Sequence, residues 1–92
     1  MSWEIKHDKE NQQFITKVDG KDAYLRYLMR ENNAIDFHHT YVPNELRGNG
    51  LAAEIVKEGF KYAEENNLKV IPTCPYVHTF LKKYPEYNKY VK

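Results

Sequence analysis

The hydrophobic period of this chain first changes at the hexapeptide Arg47-Gly48-Asn49-Gly50-Leu51-Ala52. Before it, apolar residues recur at alternate positions: Phe14, Thr16 and Val18, then Ala23, Leu25, Tyr27 and Met29, then Ile35 and Phe37. After it, Leu51, Ala52, Ile55, Val56, Gly59, Phe60 and Ala63 recur at three and four. A period of two belongs to strands with one buried face, and a period of 3.6 to an amphipathic helix. The chain therefore builds a sheet first and lays a helix on it afterwards.

Turn residues divide the first half. Trp3 and Ile5 predict a first strand, with His7 to Gln12 as a polar connector to the second. Asp19-Gly20 predicts a tight hairpin turn, because glycine accepts a positive φ without steric cost. Asp22 to Arg30 is a third candidate strand, although its leucine and arginine content also allows a helix, and Glu31-Asn32-Asn33 is the next turn. Ala34 to Val42 is the fourth, ended by Pro43, with Ile35, Phe37, His39 and Tyr41 expected on one face. A regular strand would then send Thr40 to the other face.

The second half holds the helix from Leu51 to a stop at Asn66-Asn67, a short strand at Leu68–Ile71, and a second helix from Pro75 to Lys83. Pro75 suits a first helical position and Pro85 ends the helix. The strand–helix–strand piece from Ala34 to Ile71 predicts a right-handed crossover and a parallel pair. The fold class expected is α+β: an antiparallel meander of four strands, then helix, parallel strand and short helix in one mixed sheet. With 92 residues, one domain covering 1–92 is expected.

Charge and cysteine usage narrow the function. Fourteen basic against thirteen acidic residues leave a formal charge of +1, which gives no bulk grip on nucleic acid or membrane. Tyr84, Tyr87 and Tyr90 interleave with Lys82, Lys83, Lys89 and Lys92. That pattern can stack on single-stranded nucleic acid, but with so little net charge a packed C-terminal segment is the better reading. A single cysteine, Cys74, rules out an internal disulfide. No apolar leader or membrane-length stretch is visible, so a cytoplasmic protein is expected.

The hexapeptide is the candidate ligand loop. Its glycines allow a tight turn and close approach of backbone to ligand, and the first amides of the helix lack internal partners. Together with the helix dipole they suit a pyrophosphate, with Arg47 adding a positive charge. Gly48-x-Gly50-x-x-Ala53 also spells a dinucleotide fingerprint. That fingerprint belongs in the first strand–helix–strand unit of a parallel sheet, whereas here four antiparallel strands precede it. A Walker loop is excluded because Leu51-Ala52 stands where Lys-Ser/Thr is required.

Arg47-x-x-Gly50-x-Ala52 resembles the Arg/Gln-x-x-Gly-x-Gly/Ala signature of the GNAT acetyltransferase superfamily, after a fourth strand and before a long helix. His39-Thr40-Tyr41-Val42-Pro43, Pro72-Thr73-Cys74-Pro75-Tyr76-Val77 and Tyr84-Pro85-Glu86-Tyr87 extend the likeness to the small single-domain GNAT-like family that carries a site cysteine. The resemblance implies acetyl-CoA, or CoA, as ligand and an amine as acceptor. It would lay the pyrophosphate on the amides of Arg47, Gly48, Asn49, Gly50, Leu51 and Ala52. The pantetheine arm would follow the backbone of His39, Thr40, Tyr41 and Val42 into a gap between diverging strands, towards Cys74.

Cys74 falls at the expected N-cap of the second helix, where amides favour a thiolate able to take an acetyl group. The resemblance also makes His39 the base candidate, for Cys74 or for the amine. Thr40 is left a ligand or backbone role. Cys74, His39 and His78 could form a metal set, but acetyl-CoA accounts for more residues, so no metal is expected. Longer GNAT enzymes insert two helices after the first strand, and here only His7 to Gln12 stands in their place. The acceptor wall is then missing or supplied by a partner chain or a second copy. A non-catalytic acetyl-CoA module that senses or regulates is the alternative to an N-acetyltransferase.

Overall fold

Positive-φ residues stand in the turns of the hairpins that order the sheet. Asp19 (φ 51°) and Gly20 (φ 76°) join β2 (Gln13–Val18) to β3 (Lys21–Arg30), the two left-handed residues of a type I′ turn. Asn32 and Asn33, at φ 64° and 56°, join β3 to β4 (Ala34–Tyr41). With β1 (Lys6–Asp8) these strands form an antiparallel meander. The description rests on a computed structural model and covers residues 3–92. Met1 and Ser2, which begin the stretch read as lacking a leader, lie outside it.

The helix α1 (Leu51–Glu65) crosses over and returns the chain as β5 (Lys69–Ile71), parallel to β4. Asn67 (φ 55°) follows it in the left-handed region, so Asn66-Asn67 is the stop that the sequence predicts. The five-stranded sheet has the order β1-β2-β3-β4-β5. This is the mixed α+β architecture expected.

One face of the sheet holds the core. Phe14, Leu25, Tyr27, Ile35 and Phe37 are buried there with Ile55, Val56, Phe60 and Ala63 of α1. Gly59 sets how closely the helix rides. A Cβ there would fall 2.8 Å from Phe37 Cζ and 3.0 Å from a Leu25 methyl, so a larger residue would lift α1 from the sheet. Phe60 meets Phe37 edge-on at 5.4 Å and stacks on Phe80 of α2 (Pro75–Lys83) at 5.7 Å. Full burial of that ring contributes about 2–3 kcal/mol.

The aromatic and basic tail packs rather than dangles. Pro85–Tyr90 forms 3-10 turns, and Tyr87 lies 5.2 Å from both Phe60 and Phe80. Val91 then bridges to Val70 beside β5.

Two expectations need correction. The first strand is Lys6–Asp8, not the stretch around Trp3 and Ile5. His7 belongs to it, paired with Phe14 and stacked on that ring at 4.3 Å. Asp8 then shapes the turn by accepting from the Asn11 amide at 3.3 Å and its side chain at 2.8 Å. The connector is therefore shorter than His7 to Gln12.

The second correction concerns β4. Its pairing with β3 jumps between Arg26↔His39 and Tyr27↔Phe37, leaving His38 as an extra residue, a β-bulge. The bulge reverses the alternation. Ile35 and Phe37 face the core, but His39 and Tyr41 do not share their face. His39 lies opposite Arg26, and Tyr41 opposite Tyr24, on the outer side of the sheet. Thr40, opposite buried Leu25, takes the core side instead.

Candidate functional site

The parallel pair is short, and its end opens a gap. β5 pairs with β4 only from Ala34↔Lys69 to Asp36↔Ile71. One more bond, from the Cys74 amide to the Phe37 carbonyl at 2.9 Å, closes the junction. Pro72 then removes a donor and turns the chain toward α2. Among the described residues no strand pairs with His38–Tyr41 on the β5 side. The bulge at His38 sits where that pairing stops, so the peptide groups beyond it are open to a ligand. Backbone edges of this kind recruit extended ligands by strand-like hydrogen bonds.

The loop after β4 presents a second set of open amides. Gly48 (φ 85°) and Gly50 (φ 79°) hold it in the left-handed region, which is why glycine is needed at both. Gly50 caps α1 without any side-chain hydrogen bond, and the first bond behind it runs from Glu54 to the Gly50 carbonyl at 3.1 Å. The amides of residues 48–53 have no backbone acceptor among the described residues. That run sits at the positive end of the α1 dipole. It differs from the expected set by one residue at each end. The Arg47 amide is bonded to the Asn44 carbonyl at 3.2 Å and is not available, whereas Ala53 joins. The Arg47 side chain is also fixed, with Nε donating to the Val42 carbonyl at 2.9 Å.

Two cavities meet at this loop. One, of about 340 Å³, is lined by Thr40, Val42, Arg47, Gly48, Ala52 and Tyr76 among others. The larger, of about 710 Å³, touches Asn49, Gly50 and Glu54, then continues to Lys83 and Tyr84 of α2 and its end. Leu46, Gly50, Leu51, Ala53 and Tyr76 line both, so the loop divides one continuous depression.

Cys74 lies at the closed end of the gap. It is the N-cap of α2, as expected, and is only 5% exposed. Its thiol donates to the Thr40 hydroxyl at 3.4 Å. The bulge makes that contact possible by bringing Thr40 round to the core side. The same bulge carries His39 away: its ring lies 5.9 Å from Tyr24 on the outer face and is exposed. The structure therefore brings together Cys74, Thr40, Val42 and the loop, and places His39 across β4 from the thiol. His78 is exposed and lines a separate depression with Leu81 and Lys82. Among the described residues no three His, Cys, Asp or Glu side chains gather as a metal would require.

Sequence reasoning passed over Tyr76. It lines both cavities two residues after Cys74. Burial, with a further contribution from Tyr84, raises its hydroxyl above the ordinary phenol value. The group thus stays a neutral hydroxyl at physiological pH, able to donate one hydrogen bond in the site. Its place within the block Pro72 to Val77 was the available signal.

Comparison with known proteins agrees with this architecture. The family model of the GCN5-related N-acetyl-transferases matches residues 13–91. The chain is 31% identical to protein NATD1 of Homo sapiens over 83 residues, 88% of this chain and 74% of that one. It is equally 31% identical to protein NATD1 of Gallus gallus over 84 residues, covering 89% and 76%. A GCN5-like protein of Staphylococcus aureus, solved by NMR in solution, superposes with a TM-score of 0.78 at 33% identity, covering all of this chain and 91% of that one.

Proposed function

The chain belongs to the GCN5-related N-acetyltransferase family, and on that premise we propose that residues 1–92 form a minimal unit that binds acetyl-CoA and transfers its acetyl group to an amine. One observation carries the reading. The smaller cavity runs from the open amides at Gly48 and Gly50 to Thr40 beside the gap in the sheet, and the Thr40 hydroxyl accepts from the Cys74 thiol behind that wall. The pyrophosphate takes the amides of residues 48–53, with Arg47 beside them. The pantetheine arm follows the unpaired edge of Thr40, Tyr41 and Val42 through the smaller cavity. Its mainly apolar walls, with Val42, Leu46, Leu51 and Ala53 among them, suit a narrow arm.

In this mechanism the Cys74 sulfur, its proton lost to solvent while the Thr40 hydroxyl turns to hydrogen-bond the thiolate, attacks the thioester carbonyl. A carbon–sulfur bond forms to Cys74, and the bond to CoA sulfur breaks, releasing CoA. The acceptor amine then attacks the acetyl-cysteine. A carbon–nitrogen bond forms, the thiolate leaves, and the amine's proton goes to a base. We assign His39 no contact with the thiol, from which β4 separates it; it takes the amine's proton only by way of solvent. The acceptor wall comes from a partner chain or a second copy, since the outer-face residues His39 and Tyr41 are exposed. A reducing, cytoplasmic setting keeps Cys74 a free thiol.

Intact-mass spectrometry after incubation with acetyl-CoA tests the proposal. One acetyl adduct is expected, absent in Cys74→Ala and discharged by an added amine. An adduct that persists in Cys74→Ala would assign the acetylation to lysine and remove the thiol from the mechanism. Binding of CoA with no adduct and no transfer would leave a non-catalytic acetyl-CoA module.

A further inference from the structure

The outer face of the sheet carries an arginine that is held in place and given no acid to bind. Arg26 stands on β3 directly opposite His39, the residue that follows the bulge of β4. Its Nε donates to the side-chain oxygen of Gln13 at 3.3 Å, and its guanidinium lies over the Tyr24 ring, 4.3 Å from the centroid. Gln13 is itself only 8% exposed and is oriented from behind, its side-chain nitrogen donating to Asp8 at 3.2 Å. A buried glutamine and an aromatic ring thus fix a planar cation whose fork matches a carboxylate. The acidic residues of β3 and β4 on this face are both taken, Asp22 by Lys17 at 3.2 Å and Asp36 by Arg30 at 3.1 Å. Arg26 has no ion-pair partner among the described residues. Tyr41 carries the same surface toward the gap: its ring lies 5.7 Å from Tyr24 and is 42% exposed, on the strand whose far edge is unpaired.

We propose that this stretch of the outer face receives the acceptor, and that the acceptor is an amine carrying a carboxylate, which Arg26 binds while the nitrogen reaches the gap. The proposal rests on the acetyl-transfer reading and adds to it a substrate class and a specificity-determining residue. The loop, α1 and α2 occupy the core side of the gap, so the outer face is the approach left to a second substrate. Arg26 stands one strand away from β4, and strands are spaced about 5 Å apart, so the carboxylate and the nitrogen are separated by roughly 5–10 Å. The rings of Tyr24 and Tyr41 cover that span and suit an apolar chain between the two groups. A second cation on the acceptor would instead meet Arg26 as a like charge, which selects against polyamines.

The test gives the full chain acetyl-CoA together with pairs of amines that differ in one charge, and reads CoA release. The pairs are ω-amino acids of increasing chain length and their matching ω-amino amides. Wild type is expected to favour the carboxylate in kcat/KM, by about fivefold at the best length, the upper end for one exposed ion pair, and through KM more than kcat. In Arg26→Gln the acid and the amide converge, and in Arg26→Lys, which keeps the charge, part of the preference remains. Lys6→Gln removes an exposed cation of the same face, two strands further from the gap, and keeps the wild-type ratio. Equal rates for acid and amide in wild type, or an unchanged ratio in Arg26→Gln, overturn the assignment while leaving acetyl transfer standing. If no amine of the series is acetylated, the transfer reading fails and the assignment falls with it.

Discussion

Three glycines in this chain share one backbone conformation and differ only in where they stand. Gly20, Gly48 and Gly50 have φ of 76°, 85° and 79°, and a Cβ built at any of them meets no atom within 4 Å. Alanine at each should therefore cost the same backbone strain, about 1–2 kcal/mol for an L-residue in the left-handed region. For a domain of this size that lowers Tm by roughly 4–16 °C. Gly50→Ala adds about 0.5 kcal/mol because alanine caps a helix less well than glycine. In ligand binding the three should separate. Gly20 lies in the β2–β3 turn, while Gly50 lies within the run of open amides, where a methyl group occupies the space a diphosphate needs. At CoA one hundredfold above Kd, the ligand stabilises wild type by about 2.7 kcal/mol, and a tenfold loss of affinity cuts that to about 1.4. Thermal unfolding with and without CoA reads both effects. Gly20→Ala should lose stability and keep the full ligand-induced shift, and Gly50→Ala should lose stability and at least half of the shift. A full shift in Gly50→Ala would refute the amide cradle, since strain alone then explains the glycine.

Other outcomes follow from particular contacts. Gly59→Ala puts a methyl group 2.8 Å from Phe37 Cζ, and overpacking of about 2 kcal/mol outweighs a helix-propensity gain of about 1; a Tm drop of roughly 4–8 °C is expected by calorimetry. His7, half-buried against Phe14 and Tyr62, has its pKa lowered first by desolvation and then by Lys9, with Asp8 opposing. The folded state thus prefers the neutral ring, so His7's contribution is complete above pH 6.5 and declines as pH falls through 6.5 toward the lower folded value. Tm measured from pH 8 down to pH 5 should fall less steeply in His7→Phe; an unaltered slope would show that another group titrates. His39→Ala should slow discharge of acetyl from Cys74 to an amine while leaving formation of the Cys74 adduct at the wild-type rate, by time-resolved mass measurement. Equal slowing of both steps would contradict the separation of the two residues across β4.

The layered order of this fold was legible because its signals are local. Asp19-Gly20, the stripe from Leu51 to Ala63 and the proline at position 75 each specify structure through their own backbone or side-chain chemistry. The bulge at His38 was not, because it depends on which residue of β4 meets which residue of β3. Its one trace is the pair His38-His39, two polar residues in succession where strict alternation calls for one, and both are exposed. Missing it exchanged the faces of His39 and Thr40. The thiol's hydrogen-bond neighbour is therefore the hydroxyl of Thr40, and His39 lies on the opposite face.

The cap of α1 gives a reason for the loop's composition that packing alone does not supply. Ser, Asn or Asp in place of Gly50 could, in an ordinary cap, accept from the second or third amide of the helix and add about 1 kcal/mol. Here the cap residue has no side chain, sits at φ 79°, and leaves the Ala52 and Ala53 amides without a partner. Ala52 and Ala53 are themselves small and Leu51 is turned into the core, so no side chain of theirs covers those donors. In a 92-residue chain with a modest core, forgoing a cap is a measurable sacrifice of stability. The sacrifice is recovered when an anion takes the amides, because a ligand that binds only the folded state stabilises it in proportion to the logarithm of its concentration. Stability should therefore depend on CoA more steeply than on inorganic phosphate at equal concentration, since only CoA also fills the gap beside β4. Equal stabilisation by the two would reduce the loop to a bare anion site and separate it from Cys74.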